Sequence, residues 1–391
     1  MKHEDCQVRV IRQQFIYECY IIIGAPYTIP LINFPINCLV KINWGDNIQS
    51  LNNVLTHVYR GNHNRVYRII VDIYYIRYKT IDNHGINDGI YFMIRDRYTR
   101  HGLYDILYWG GVCLKDGGKQ FYNCHNLVCI SAKDTPVLLN CKDASYMFYN
   151  CYRFRNGITL WDVSGIENIN KMFYNCYQFN DDISVWNVGK VKYMIGVFYN
   201  NQKFNQNINR WNVTSVTRME YMFYGCEIFN QNLNLWDTSN VVCMDYMFYA
   251  CDIFNGNIDT WKVDNIKSMT SMFEGCIEFS GNLTDWDVTK VECMSGMFAY
   301  TIKFNGNISK WKVLHVHNMS GMFAFAESFN QNLNVWPIVN LKDARYMFSY
   351  TKMFDSNLKN WKIYMDNVPY KRGMFLNSEA FIRREEFVIS G

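Results

Sequence analysis

From about residue 145 the apolar positions of the chain recur every 25 residues. Tryptophan marks the period at Trp161, Trp186, Trp211, Trp236, Trp261, Trp286, Trp311, Trp336 and Trp361, which we take as structural core. Two phenylalanine columns keep the same step, from Phe148 to Phe348 and from Phe154 to Phe354. In one unit the apolar residues are Val213, Val216, Met219, Met222, Phe223, Cys226, Phe229 and Leu233. Met219, Met222, Phe223 and Cys226 follow i, i+3, i+4, i+7 spacing, which predicts a short helical turn. Ile208, Trp211 and Val213 suit a short strand. Neither element buries its apolar face alone, so stacked neighbours must complete the core. The predicted fold is a repeat solenoid with one short parallel strand and one helical turn per coil, its rungs about 4.8 Å apart.

Residues 15–110 carry no such period. FIYECYIII, CLVKINWG, NVLTHVYR and RVYRIIVDIYYIRY predict strands separated by Asn, Asp and Gly, and so a small β-domain that caps the open end of the stack. The stretch Tyr91–Trp109 predicts no particular element. The chain divides into a β-rich N-terminal domain at 1–110 and a degenerate first repeat or cap at 111–144. Nine repeats follow at 145–361, then an irregular C-terminal cap at 362–391. Two asparagine columns, from Asn180 to Asn330 and from Asn207 to Asn357, predict amides that satisfy backbone groups at the corners of the coils.

Composition narrows the function classes. Apolar residues make up 49% and charged residues 19%, which excludes a disordered chain. A net charge of +4 without a clustered basic face argues against nucleic acid. No stretch approaches the length of a transmembrane segment. The N-terminal MKHEDCQVRV has neither an apolar leader nor a hydrophobic run before Cys6, so a cytoplasmic or virion-associated protein is favoured over a secreted one. Fourteen cysteines in that setting predict reduced thiols.

The unit MFYGCEIFNQNLNLWDTSNVVCMDYMF resembles the 25–26-residue repeat of bacterial surface proteins, the BspA-like class of leucine-rich repeats common in mycoplasma surface lipoproteins. The likeness spans roughly Lys119 to Phe381. KINWGDNIQS, LTHVYR and VYRIIVDI are similar to a PKD-like β-sandwich, with Asn47 where that family usually has Gly. The resemblance implies a leucine-rich-repeat-like solenoid and a role in adhesion or protein contact, and it carries over no catalytic residues. Similar repeats also occur in large DNA viruses, where a particle component needs no export signal.

The search for chemistry finds no catalytic residues, metal site or cofactor site. Cys113, Cys124, Cys129 and Cys141 lack the C-x-x-C pair that begins most structural zinc sites. The cysteines at 124, 151, 176, 226, 251 and 276 share a column with Asn201, Thr301, Ala326 and Thr351, which predicts a demand for a small side chain. His315 and His317 lack a third ligand, and packing accounts for His57. Asp162, Asp237 and Asp287 follow tryptophans at positions that Asn or Lys fills elsewhere. No nucleophile elbow, P-loop or dinucleotide fingerprint occurs.

The expectation is therefore a non-enzymatic protein-interaction or structural repeat protein, on a cell surface or a viral particle. The alternative is a glycan-binding adhesin module that uses an aromatic face. The partner-binding candidates are Tyr149, Tyr174, Tyr199, Tyr224 and Tyr249, a column that becomes Glu274, Ala299, Ala324 and Ser349 halfway along the array. Packing demand should be alike in every internal coil, so the change asks for another cause.

Overall fold

The computed structural model describes residues 9–32, 38–52, 54–60, 63–77, 90–94, 96–138 and 140–382. The leader reading of residues 1–8, the segment 78–89 and residues 383–391 of the predicted C-terminal cap lie outside the described residues.

The N-terminal part comprises β1 (Arg9–Ile21), β2 (Pro26–Thr28), β3 (Leu31–Ile32), β4 (Leu39–Asn43), β5 (Gln49–Leu51), β6 (Thr56–Val58), β7 (Arg65–Arg77), β8 (Tyr91–Phe92), α1 (Arg97–Gly102), β9 (Leu103–Tyr108) and β10 (Cys113–Leu114). A five-stranded antiparallel sheet has the order β5-β4-β7-β1-β9. Period-two alternation turns Phe15, Tyr17, Cys19 and Ile21 inward on β1, and Tyr67, Ile69, Val71 and Ile73 inward on β7. Of Tyr91–Trp109, which the sequence left without an element, α1 and β9 take the larger share. Phe92 and Trp109 then meet the ring of Phe121 at 4.8 and 6.3 Å, and buried residues run on as one cluster from Phe15 to Phe381.

The predicted leucine-rich-repeat-like coil of one strand plus one helical turn is not what these residues build. From 143 to 358 the described backbone contains no helix and no strand beyond single bridge residues. Parallel bridges join each coil to the next from Asp143↔Asn168 through Asn318↔Asp343, and Asp343↔Tyr370 closes the series. The rest of each coil is a chain of turns.

The helical spacing has another cause. Val216, Met222, Cys226, Phe229 and Trp236 each donate their N–H to the carbonyl three residues back, on Val213, Met219, Phe223, Cys226 and Leu233. Apolar residues fall three apart because they form the two ends of successive turns. The N–H groups of Met219, Tyr221, Phe223 and Gly225 instead leave the coil for the carbonyls of Cys243, Asp245, Met247 and Tyr249 on the next one, at 2.7–3.3 Å. An α-helix would use those donors internally. Tyr221 (φ 59°) and Gly225 (φ 67°) are left-handed, which a right-handed helix cannot contain.

Stacking then repeats every side chain. The Phe148–Phe348 rings follow one another at 5.4–5.8 Å, nearly parallel. Trp236 to Trp361 stack at 6.1–6.5 Å, wider than the predicted rung. Tyr149 to Tyr249 stack at only 4.2–4.7 Å. Pure translation would give every column one spacing, so each coil is also rotated on the last. The ring spacing is widest in the tryptophan column and narrowest along the tyrosine edge. After Trp361, α2 (Lys362–Met365) and α3 (Glu379–Ile382) replace the regular coil, while Phe375 and Phe381 still stack on Phe348 and Phe354 at 5.4 and 5.8 Å.

Candidate functional site

The nine repeat tryptophans, Trp161 through Trp361, are all buried, none more than 4% exposed. From Trp186 onward each indole donates its Nε1–H to a carbonyl of the preceding coil, as Trp261 does to Leu233 at 2.8 Å. That bond removes the cost of burying the indole's polar atom. Trp161 opens the column, and its Nε1 has no partner among the described residues.

The small-residue column has a chemistry that the sequence reading missed. Cys151, Cys176, Cys226, Cys251 and Cys276 donate their thiols to the carbonyls of Phe121, Phe148, Phe198, Phe223 and Phe248 at 2.9–3.0 Å. Asn201, Thr301 and Thr351 make the same bond to Phe173, Phe273 and Phe323. From Cys151 to Thr351 every coil but that of Ala326 fills the column with a small donor. The signal lay in the replacement of Cys by Asn and Thr, side chains that share with it only size and a hydrogen to give. Burial pushes these thiols far above their ordinary pKa, so they remain protonated donors.

The partner-binding candidates Tyr149, Tyr174, Tyr199, Tyr224 and Tyr249 occupy the outer corner of each coil. Two left-handed residues, such as Tyr146 (φ 57°) and Asn150 (φ 59°), bracket the corner. Met147 and Phe148 between them turn inward and leave Tyr149 half-buried at the surface. Tyr122 extends the row, 5.1 Å from Tyr149, so six rings stack within 15° of parallel. Burial first, and then the neighbouring Tyr174 hydroxyl, push the Tyr199 phenol up to about 12. Lys171 lies 5.7 Å from the Tyr146 ring and 5.8 Å from Tyr174, and Lys119 lies 5.6 Å from Tyr146, so the N-terminal end of the row carries cations.

Asn123, Asn150, Asn175 and Asn200 form an amide row beside these rings, each Nδ2 donating to the previous Oδ1 at 2.9–3.0 Å. Asparagine suits this left-handed position. Further along, the same position holds Tyr300, Phe325 and Tyr350 at φ 57–60°. These stack at 4.5 Å, so the aromatic row resumes one residue later in the coil. A bulky side chain in that conformation costs about 1–2 kcal/mol, and ring stacking offsets about 0.5–1.5 kcal/mol of it. The change at Glu274 is thus a shift of column. The sequence held the signal, because Tyr300, Phe325 and Tyr350 also keep the 25-residue step.

The remaining candidates have structural surroundings. His57 Nε2 meets Asp46 at 2.7 Å and its ring stacks on Trp44. His315 and His317 line a shallow pocket with Lys267, Lys290 and Glu292, and His315 Nδ1 lies 2.7 Å from the Thr289 carbonyl. Asp162, Asp237 and Asp287 accept from the N–H two residues on, as Asn187 and Asn212 do. Among the described residues every cysteine is a free thiol, and no group of three His, Cys, Asp or Glu side chains could hold a metal. No helix among them is long and apolar enough to cross a membrane.

Three overlapping stretches, residues 142–261, 227–313 and 267–386, match the model of a family described as Mycoplasma protein of unknown function, DUF285. No curated protein and no solved structure matches the chain.

Proposed function

Because the chain belongs to the DUF285 family of mycoplasma-type repeat proteins, whose matches cover more than half of it, we propose that it works without catalysis, as a repeat scaffold that holds a partner protein against its tyrosine edge. The half-buried, parallel row from Tyr122 to Tyr249 carries this reading. Stacking has already immobilised these rings, so a partner meets large amphipathic surface at little further entropic cost. The adhesive role implied by the surface-protein resemblance, on a cell or a viral particle, and the PKD-like character of residues 41–73 belong to the same proposal. A glycan-binding face is the second reading, favoured by the amide row at Asn150, Asn175 and Asn200 beside the rings.

The test replaces Tyr174, Tyr199 and Tyr224 together with Ser. Thermal melting, cross-linked capture of protein partners and binding to a glycan array are then compared with the parent chain. Loss of a captured protein with little change in melting supports the first reading. Loss confined to glycans favours the second. Unchanged capture, or collapse of the fold, returns the row to the core.

A further inference from the structure

The aromatic edge is interrupted at one coil. Tyr249 ends the first row and Tyr300 begins the next, and between them the two positions hold Glu274 and Gly275. The ring faces that Tyr249 and Tyr300 turn toward this coil have no aromatic neighbour among the described residues.

The carboxylate is held against the next coil and has no paired cation among the described residues. A methyl group on Gly296 would lie 3.0 Å from Glu274 Oε2 and 2.8 Å from Ser271 Oγ, so both side chains rest against that glycine's backbone. Six other glutamates lie between 145 and 358. Glu167, Glu220, Glu278, Glu292 and Glu327 each pair with Lys or Arg, and Glu227 accepts from Gln202. Glu274 is half-buried, yet no ion pair among the described residues includes it.

We propose that this interruption is a slot for one basic side chain, a guanidinium or ammonium group presented by a partner, with Glu274 as counter-ion and Tyr249 and Tyr300 as its walls. The proposal rests on the reading of this edge as a contact surface and names what anchors there. A cation between aromatic faces gains from their negative quadrupoles, and a half-buried carboxylate strengthens the hold through a charge-assisted hydrogen bond. Glycine at 296 lets the Glu274 carboxylate and the Ser271 hydroxyl lie against the backbone, where a Cβ would meet both. Burial pushes the Glu274 carboxyl above its ordinary pKa, with the Ser271 hydroxyl drawing it part of the way back. An arriving cation favours the ionised form, so binding should strengthen as pH rises.

The experiment needs no partner protein. Full-length chain labelled with 15N-glycine is titrated with N-acetyl-arginine amide and, separately, with its uncharged isostere N-acetyl-citrulline amide, while the Gly275 and Gly296 amide resonances are followed. The arginine derivative should shift both saturably and the citrulline derivative should not. Glu274→Gln should weaken binding at least tenfold, and Tyr300→Ala severalfold, with folding of each variant confirmed by its glycine spectrum. Equal shifts from the two compounds, no saturable shift, or undiminished binding by folded Glu274→Gln overturns the slot. A partner that is captured normally while the arginine derivative fails to bind removes the slot alone and leaves the contact surface standing.

Discussion

Ala326 is the one regular coil position in the donor column that cannot donate. Among the described residues the Phe298 carbonyl below it accepts only the N–H of Thr301, at 3.2 Å. On either side of Ala326 the column holds Thr301 and Thr351, both fully buried, with hydroxyls 3.0 and 2.8 Å from the Phe273 and Phe323 carbonyls. Ala326→Thr therefore places a hydroxyl where two neighbouring coils already accommodate one. A net intramolecular hydrogen bond contributes about 0.5–1.5 kcal/mol. The added methyl and the lost rotamer freedom oppose each other at a smaller scale. The expected result is a stabilisation of about 0.5–1.5 kcal/mol, seen as a higher urea midpoint with an unchanged slope. Thr351→Val, which keeps the shape and removes the donor, should cost about 0.5–1.5 kcal/mol, because the Phe323 carbonyl keeps the N–H of Ala326. If smallness alone ruled the column, the new hydroxyl would be buried without an acceptor and the sign would reverse. A lower midpoint for Ala326→Thr together with an unchanged one for Thr351→Val refutes the donor reading.

Trp261→Ala should cost about 3–5 kcal/mol in denaturant melts, because it removes a buried ring stacked on both sides and the bond to Leu233. Trp361→Ala should cost less although Trp361 is equally buried, since it stacks on Trp336 alone in this column and the coil beyond it is irregular; equal losses would contradict nearest-neighbour coupling. Burial raises the Glu274 pKa, the Ser271 hydroxyl lowers it in part, and no ion pair among the described residues includes the carboxylate, so ionisation in the folded state is unfavourable. Its cost is absent below about pH 4, where the unfolded chain is also protonated, and grows as pH rises through the raised folded value. Glu274→Gln should accordingly melt higher than the parent at pH 7 and alike near pH 4, and a constant difference across that range would refute the assignment.

The 25-residue recurrence of Trp, Phe and Asn was enough to determine that units stack in register and which side chains face inward. A period can be read residue by residue without knowing the path of the backbone. That FIYECYIII and RVYRIIVDIYYIRY form strands, β1 and β7, was legible from their residue types. The path itself was not. Spacing of three and four residues follows equally from a helix and from a series of turns, and only the direction of N–H groups such as those of Tyr221 and Gly225, out toward the next coil, separates the two. Donation by the Cys226 thiol was hidden likewise, because its acceptor, the Phe198 carbonyl, lies 28 residues away and becomes a neighbour only through stacking. The corner that leaves Tyr199 half-buried depends on left-handed residues that a list of side chains does not reveal, whereas the shift to Tyr300 was carried by its own 25-residue step. Composition and period set what is buried; the sign of φ at two residues per coil decided which side chains stand at the corner of each coil.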